Sequence, residues 1–203
     1  MTDFAKPLRE EDADADPLKQ FAAWFEEAGE ATRAPEAMAL ATATPDGAPS
    51  VRMVLMKGFD ERGFTFFSNY ESRKGGELLA NPRAALLFHW DALGRQVRIE
   101  GPVERVHHEE SGAYVRSRPR GSQLSALASP QSRPVSGRAE LERLVEEVTT
   151  MYQHGDLPLP ENWGGYRLRP ERYEFWQHRE DRLHDRLLYT PADAGWTVQR
   201  LAP

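Results

Sequence analysis

The stretch RLHDR, at residues 182 to 186, sets a histidine and an aspartate between two arginines. Four uses fit these residue types: a His–Asp catalytic pair, half of a metal site, a grip on an anion, or a charged and solvated strand. In a strand, successive side chains point to opposite faces, so Arg182, His184 and Arg186 would share one face and Asp185 would point away. This spacing disfavours the catalytic pair and the metal site, and it favours a row of donors for an anionic, planar ligand.

A second candidate for anion binding is the stretch ESRKGG, residues 71 to 76. Ser72 is predicted to cap a helix whose first residues are Arg73 and Lys74. Free backbone N–H groups and the positive end of the helix dipole would then join two cations, which is the composition of a phosphate site. The alternative is a capped surface helix. Cations are unfavourable at a helix N-terminus, and that mismatch favours a bound anion.

Tyr114, Arg118 and Ser122 supply the hydroxyl and guanidinium donors that usually hold a monoester phosphate. Their spacing would align them on one helix, but Pro119 is expected to end any helix at about Arg118. A basic surface loop is the alternative.

Arg52 and Lys57 close the two ends of a predicted strand, RMVLMK. They face opposite sides in a regular strand, so a strand end or a bulge must redirect one of them if both serve one ligand. A strand flanked by solvated charges is the alternative. HHEE, residues 107 to 110, is interpreted as solvated surface because no second ligand pair follows at helical spacing, so no metal site is predicted.

These residues must be positioned by the elements around them. Asp16 and Pro17 are predicted to begin an amphipathic helix, and Asp46-Gly47 indicates a β-hairpin. Helices are also expected over residues 107–117 and 138–154, joined by a Ser-rich connection, and three strand-like pieces close the chain. The pattern predicts an α+β, mainly β domain: a barrel-like sheet with helices outside.

Composition restricts the classes of function. The chain has no Cys, which excludes disulfides and zinc-ribbon sites and is compatible with a reducing cytoplasm, and no apolar run is long enough to span a membrane. Its net charge of −6 lies within residues 1 to 30, whereas residues 31 to 203 are neutral overall. Residues 1–16 are predicted to form a flexible acidic arm, and residues 17–203 a single domain. The five arginines within residues 114 to 138 make a local positive field, which favours a small anion over a nucleic acid.

Seven motifs, in order from about residue 17 to Pro203, resemble the pyridoxamine (pyridoxine) 5′-phosphate oxidase family. They are RMVLMKGFDERGFTFFSNYESRKGGELLANPRAALLFHW, RQVRIEGPVERV, SRPRGSQLSALASPQS, WGGYRL, EFWQ, RLHDR and the terminal RLAP. The resemblance implies an FMN-binding split β-barrel with flanking helices, in a homodimer that holds FMN at the subunit interface. Phe67-Ser68 departs from the Tyr-Thr common in the family, and the hydroxyl survives at Ser68. The acidic arm carries over no substrate contact.

The resemblance also implies site residues. The FMN contacts would be Arg52, Met53, Val54, Leu55, Met56, Lys57, Phe67, Ser68, Arg73, Lys74, Gln96, Gln131, Ser132, Trp176 and Arg186. The substrate contacts would be Lys57, Tyr114, Arg118 and Ser122 around a phosphate, with Arg182, Leu183 and His184 near the pyridine ring. Arg182 and His184 would be the catalytic pair.

The implied activity is that of a cytoplasmic pyridoxal 5′-phosphate synthase in vitamin B6 metabolism. FMN would accept a hydride equivalent from C4′ of pyridoxamine or pyridoxine 5′-phosphate, and O2 would be reduced to H2O2, with ammonia released from the amine. The rivals are a split-barrel reductase that uses flavin or deazaflavin, a non-catalytic carrier of FMN or pyridoxal phosphate, and a nucleic-acid-binding protein. RPRGS and RLHDR disfavour the reductase, and the neutral body disfavours nucleic acid.

Overall fold

Antiparallel strands form the centre of the protein, for which a computed structural model describes residues 7–203. Within that range there is one sheet of nine strands. The strands are β1 (Ala37–Ala43), β2 (Pro49–Asp60), β3 (Gly63–Asn69), β4 (Arg83–Trp90), β5 (Arg95–Arg105), β6 (Trp163–Leu168), β7 (Arg172–Gln177), β8 (Asp185–Pro191) and β9 (Trp196–Arg200). Six of them close a barrel in the order β4, β1, β2, β3, β6, β5, because β5 also pairs with β4. β7, β8 and β9 continue the sheet from β5.

Five α-helices surround the barrel in the described part of the chain: α1 (Pro17–Ala31), α2 (Arg73–Ala80), α3 (His108–Ser117), α4 (Arg120–Ala128) and α5 (Arg138–Met151). Asp16 caps α1 by accepting a hydrogen bond from the Leu18 N–H, and Ser72 caps α2 in the same way through Gly75. The α+β, mainly β barrel with helices outside is therefore confirmed, as are both predicted helix starts.

The barrel interior is filled by aromatic and aliphatic side chains. Phe21 of α1 is fully buried and meets the rings of Phe59, Phe64 and Phe88 edge-on, with centroids about 5 Å apart. This contact fixes α1 across one part of the barrel wall, so the strands that carry the site residues are held against a rigid core.

Three local predictions are wrong. The Ser-rich connection contains α4, because Pro119 ends α3 but is itself well suited to start the next helix. The first of the three strand-like pieces expected to close the chain, YRLRPERYEFWQ at residues 166–177, spans two strands, β6 and β7. Pro170 separates them because it has no N–H to donate. RLHDR is not one strand, since β8 begins only at Asp185.

The described part of the acidic arm, residues 7 to 16, packs against the sheet. Leu8 is buried, and its N–H donates to Asp185 Oδ2 at 3.1 Å. Arg200 of β9 donates to both carboxylate oxygens of Glu10, at 2.9 and 2.7 Å. This acidic segment therefore has a basic partner, Arg200, that the sequence did not predict. Residues 1 to 6 lie outside the described residues.

Candidate active site

Lys74 lies at the centre of a polar cluster between the start of α2 and the barrel. Its side chain is almost fully enclosed, with a relative exposure of 8% for the residue. The ammonium group donates to Ser68 Oγ and to Gln131 Oε1, both at 3.0 Å. We call Lys74, Ser68, Gln131, Arg73 and Arg52 the α2 cluster. It unites five residues predicted from different parts of the sequence.

The electrostatics of the α2 cluster favour an anion. Burial lowers the pKa of the Lys74 ammonium, and the nearby positive charge of Arg52 lowers it further, while Glu77 opposes this. Ser68, Ser72 and Gln131, which accept hydrogen bonds from Lys74, are neutral, and a buried charge with neutral partners is unfavourable until a counter-charge arrives. A phosphate group would supply that counter-charge.

Two of the cations in the α2 cluster share a carboxylate that sequence reasoning missed. Arg52 lies 3.3 Å from Glu77 Oε2, and Arg73 lies 2.9 Å from Glu77 Oε1. The available signal was the spacing of four residues between Arg73 and Glu77 on a helix, which is typical of an ion pair.

Lys57 occupies a bulge in β2. The pairing of β2 with β3 shifts register between Met56 and Gly58, so Lys57 is the extra residue. This is the irregularity that the sequence required if Arg52 and Lys57 were to serve one site. Lys57 lines a cavity of about 290 Å³ together with Phe67 and Tyr114.

Three aromatic rings form a parallel stack beside that cavity. Phe67 and Tyr114 are stacked with centroids 3.9 Å apart, and Trp163 is stacked on both at 5.8 and 6.0 Å. Burial raises the pKa of the Tyr114 hydroxyl, while the charge of Arg118 opposes the shift, so the group is a neutral donor at physiological pH.

Arg118 lies over the Trp163 ring, with its guanidinium carbon 4.9 Å from the ring centroid. Among the described residues its Nη1 is buried and has no hydrogen-bond partner. The helix before Pro119 ends at Ser117, close to the predicted end at Arg118. Ser122 lies in the first turn of the next helix, α4. We give the name Arg118 cluster to the four residues predicted around the substrate phosphate, Lys57, Tyr114, Arg118 and Ser122; within the described residues, no hydrogen bond joins Ser122 to the other three. Its orphaned donor is what a phosphate site without its ligand would contain.

Gln96, Trp176 and Arg186 form a row across β5, β7 and β8. The register pairs Gln96 with Trp176, and Trp176 with Arg186. Residues directly opposite in antiparallel strands have side chains on the same face, so these three form one surface, here called the Trp176 row. Arg186 is fixed by Glu174 at 2.8 Å and by the Ala202 carbonyl at 2.7 Å.

Arg182, Leu183 and His184 lie in the turn before β8, not on the strand with Arg186. The predicted alternation on one strand face is therefore wrong. Asp181 and Arg182 have positive φ values of 54° and 62°, which make the chain turn sharply after β7. Non-glycine residues rarely adopt this conformation, and strained residues of this kind tend to cluster at functional sites.

His184 nevertheless lies against the Trp176 row, with its ring centroid 4.6 Å from that of Trp176. Its Nδ1 accepts a hydrogen bond from the Arg179 backbone N–H at 3.1 Å. Burial lowers the pKa of His184, and the nearby His178 and Arg182 lower it further. Asp185 points away, as predicted, and accepts from Leu8 and Arg200.

The outer face of β2 is apolar and exposed. Val51, Met53 and Leu55 have exposures of 69%, 65% and 44%, whereas Val54 and Met56 face the barrel interior. Ser132, the last of the predicted cofactor contacts, follows Gln131 with a positive φ of 70°. Within the described residues, no hydrogen bond or ring contact joins the Trp176 row to the α2 cluster.

Two family models match the chain. One, described as pyridoxamine 5′-phosphate oxidase, covers residues 25–152. The other, described as the pyridoxine 5′-phosphate oxidase C-terminal dimerisation region, covers residues 163–203. The chain belongs to the pyridoxamine 5′-phosphate oxidase family. The resemblance drawn from the seven motifs is thereby confirmed.

Relatives and solved structures agree with this membership. A pyridoxine/pyridoxamine 5′-phosphate oxidase of Rubrobacter xylanophilus is 58% identical, covering 97% of this chain and 91% of that protein. The one of Gluconobacter oxydans is 56% identical, covering 95% and 96%. PhzG from Burkholderia lata, solved with tetrahydrophenazine-1-carboxylic acid, is 32% identical with a TM-score of 0.89, covering 100% and 97%. An FMN binding protein of Nostoc punctiforme shares the fold at 19% identity and a TM-score of 0.71, covering 92% and 97%.

No helix within residues 7–203 is long and apolar enough to cross a membrane. That same range contains no group of three or more His, Asp or Glu side chains arranged to hold a metal ion.

Proposed function

We propose that this protein is an FMN-dependent oxidase that converts pyridoxamine 5′-phosphate and pyridoxine 5′-phosphate into pyridoxal 5′-phosphate, as part of vitamin B6 metabolism in the cytoplasm. The observation that carries the proposal is the presence of two separate donor sets for a phosphate monoester, the α2 cluster and the Arg118 cluster. A flavin mononucleotide and a phosphorylated vitamer each bring one such group. Relatives that are 55–58% identical bear the matching name.

The α2 cluster suits the phosphate of FMN. Lys74 is a buried cation with neutral partners, and Arg52 is a second cation close enough to lower the Lys74 pKa. Ser68 and Gln131 add neutral polar groups to the same pocket. Phosphate binding would remove the repulsion between the cations, so the residues present fit the group. Gln96, Trp176 and Arg186 would contact the remainder of the cofactor.

The Arg118 cluster suits the phosphate of the substrate. The Nη1 of Arg118 is buried without a partner in the described part of the chain, and Tyr114 remains a neutral donor because burial raises its pKa. The Trp163 ring beneath the guanidinium holds its plane in place. Lys57, redirected by the bulge, adds a cation at the cavity of about 290 Å³.

When bound, FMN would supply the two-electron acceptor for oxidation at C4′ of the substrate. With the amine, one O2 and one water would be consumed and ammonia and H2O2 released; with the alcohol, one O2 would yield H2O2. Arg182 would hold the pyridine ring by its positive charge. His184 accepts at Nδ1 from Arg179, so its neutral ring carries the proton on Nε2 and would donate from that atom to the substrate.

A homodimer would complete the site. The α2 cluster is carried by α2, β2, β3 and the segment after α4, whereas the Trp176 row lies on β5, β7 and β8. The second family match is to a dimerisation region. The exposed apolar stripe of Val51, Met53 and Leu55 lies on the strand that also carries Arg52 and Lys57. Burial of this stripe against a second copy would bring β2 of one protomer to its partner, with FMN at the interface.

The solved PhzG, at 32% identity, suggests a second substrate class, because it was crystallised with a tricyclic carboxylic acid that carries no phosphate. The Arg118 cluster favours the phosphorylated vitamer over such a ligand, since a carboxylate would leave the orphaned donors of a phosphate site partly unused. This candidate is therefore the rival to test.

The test is a peroxide assay on the purified protein. We expect a yellow protein that produces H2O2 with pyridoxamine 5′-phosphate and pyridoxine 5′-phosphate, but far less with the unphosphorylated vitamers. Arg182→Leu should lower turnover much more than FMN content, and Arg186→Leu should release FMN on dialysis. A colourless protein, or equal rates with phosphorylated and unphosphorylated vitamers, would contradict the proposal.

A further inference from the structure

Glu77 of α2 is a buried carboxylate that accepts from four side chains. Its Oε2 accepts from Thr42 Oγ1 at 2.5 Å, from Ser50 Oγ at 2.6 Å and from Arg52 at 3.3 Å. Its Oε1 accepts from Arg73 at 2.9 Å. The residue is only 6% exposed. One acid therefore joins two strands of the barrel, β1 and β2, to both arginines of the α2 cluster.

The hydroxyls around Glu77 extend this arrangement to Arg52. Ser50 Oγ lies 2.5 Å from one guanidinium nitrogen of Arg52, and Thr42 Oγ1 lies 2.6 Å from the other. Arg52 also donates to the Leu40 carbonyl at 3.1 Å. A long side chain with five donors is thus held at several points, which removes the conformational freedom that it would otherwise lose on binding a ligand.

The charges of this group match a phosphate monoester. Arg52, Arg73 and Lys74 are cations, and Glu77 is the acid that pairs with two of them. Two positive charges therefore remain uncompensated, whereas a phosphate monoester carries about −1.5 to −2 near pH 7. The three cations alone would exceed that charge and would repel one another, since Arg52 already acts on Lys74.

We infer that Glu77 is a positioning residue for the phosphate site: it fixes Arg52 and Arg73 in the geometry that binds a phosphate monoester. The inference rests on the proposed FMN site, because FMN is the ligand that would bring this phosphate. Glu77 acts through the two arginines and touches no ligand itself.

Charge and positioning lead to opposite outcomes when the carboxylate is removed. A loss of negative charge beside the site raises its positive field, which by itself would tighten FMN binding. A loss of the fixed acceptor frees Arg52 and Arg73 and leaves buried donors without a partner, which would weaken FMN binding. The sign of the change in FMN affinity therefore separates the two roles.

The experiment measures FMN and riboflavin affinity by flavin fluorescence, on the full chain freed of bound flavin. Riboflavin lacks the phosphate, so the ratio of the two affinities isolates the phosphate site. For Glu77→Ala we expect FMN affinity to fall roughly 10- to 100-fold, with riboflavin affinity little changed. Glu77→Gln keeps one oxygen acceptor, which can serve Arg52, but it turns its amide N–H groups toward Arg73, so it should recover only part of the loss.

Two further variants distinguish positioning from a general loosening of the helix. Leu78→Ala removes the neighbouring buried side chain of α2 and should leave the FMN-to-riboflavin ratio as in the wild type. Ser50→Ala removes one hydroxyl that bonds both Glu77 and Arg52, and it should lower the ratio by a smaller factor. It serves as the test if Glu77→Ala does not fold.

The outcomes also separate this inference from the proposed function. If the wild-type chain binds FMN no better than riboflavin, the proposed function fails and the inference falls with it. If the wild type prefers FMN but Glu77→Ala keeps or raises that preference, the inference alone is overturned. If Glu77→Ala does not fold, an FMN-to-riboflavin affinity ratio that is unchanged in Ser50→Ala likewise overturns the inference alone.

Discussion

At the scale of single residues, one hydrogen bond determines which ring nitrogen of neutral His184 carries the proton. The Arg179 backbone N–H points at Nδ1, so the neutral ring presents an N–H donor at Nε2 and has no free lone pair there. Burial and the nearby His178 and Arg182 lower its pKa, so the ring stays neutral below the ordinary value of about 6.5. His184 is thereby prepared to donate a hydrogen bond rather than to take a proton.

This role can be tested with two amides. In His184→Gln the side-chain amide nitrogen would lie near the position of Nε2, and in His184→Asn it would lie near Nδ1. We therefore expect His184→Gln to keep more of the turnover than His184→Asn. Protonation of His184 at Nδ1 would turn the hydrogen bond from the Arg179 N–H into a contact between two donors and displace the ring. The wild-type pH–rate profile should therefore show an acid limb below pH ~6.5, because the pKa of His184 is lowered, and this limb should be missing in His184→Gln. Equal losses in both variants would contradict a donor role.

Arg118 permits a second test at this scale. Its buried Nη1 donor lacks a partner among the described residues, and a charged hydrogen bond to phosphate is worth about 1.5–3 kcal/mol. We therefore expect Arg118→Met to raise KM for pyridoxamine 5′-phosphate by roughly 10-fold or more, with FMN content unchanged. Arg116→Met, which changes an exposed arginine in the last turn of α3, is the control and should behave as the wild type.

At the scale of elements, the contact between β3 and β6 depends on a glycine. Gly63 has φ +126°, and a Cβ there would lie 2.0 Å from the Leu168 carbonyl oxygen. Gly47, in the hairpin between β1 and β2, also has positive φ (+90°), but a Cβ there meets nothing within 4 Å. Both positions need a residue that adopts positive φ. Only at Gly63 would a Cβ also clash with the neighbouring backbone.

We accordingly expect Gly63→Ala to lower the free energy of unfolding far more than Gly47→Ala. The hairpin variant should lose about 1–2 kcal/mol, the usual cost of a left-handed alanine. The β3 variant should lose on the order of 4 kcal/mol, because the backbone of two paired strands must also move. Urea unfolding midpoints measure both, and similar losses would show that the strands adapt easily.

At the scale of the whole molecule, the exposed stripe on β2 is a candidate for the surface that a second copy of the chain would bury. Met53 is 65% exposed and lies between Val51 and Leu55, whereas Met151 is 73% exposed at the end of α5. An apolar row on a strand next to the candidate cofactor residues fits burial against a second copy, as the dimerisation-region match supports.

Met53→Glu should therefore dissociate the dimer and release FMN, because a charge would have to be buried in an apolar interface. Met151→Glu changes an equally exposed methionine and should leave mass and flavin content as in the wild type. Light scattering after size-exclusion chromatography, with the absorbance of bound flavin, measures both properties. A Met53→Glu dimer that keeps its flavin would place the interface elsewhere.

The sequence by itself determined much of the local structure. Asp16 and Ser72 cap their helices as predicted, because a cap depends on one side chain and its next few residues. The parity of Arg52 and Lys57 meant that a strand end or a bulge would be needed if both were to serve one ligand, and the structure has a bulge at Lys57. The seven motifs were also enough to identify the family, because each motif is a pattern of neighbouring residues that can be recognised without the structure.

Tertiary structure alone decided how these parts combine. The Trp176 row exists because β5, β7 and β8 pair in one register, which no local pattern specifies. Arg182 lies outside β8 because the chain turns there through two residues of positive φ, Asp181 and Arg182. Glu77 became the partner of Arg52 only when α2 packed on β1 and β2. Contacts between distant residues depend on how the whole chain packs, so spacing in sequence could pair Glu77 with Arg73 on one helix but not with Arg52 on a distant strand.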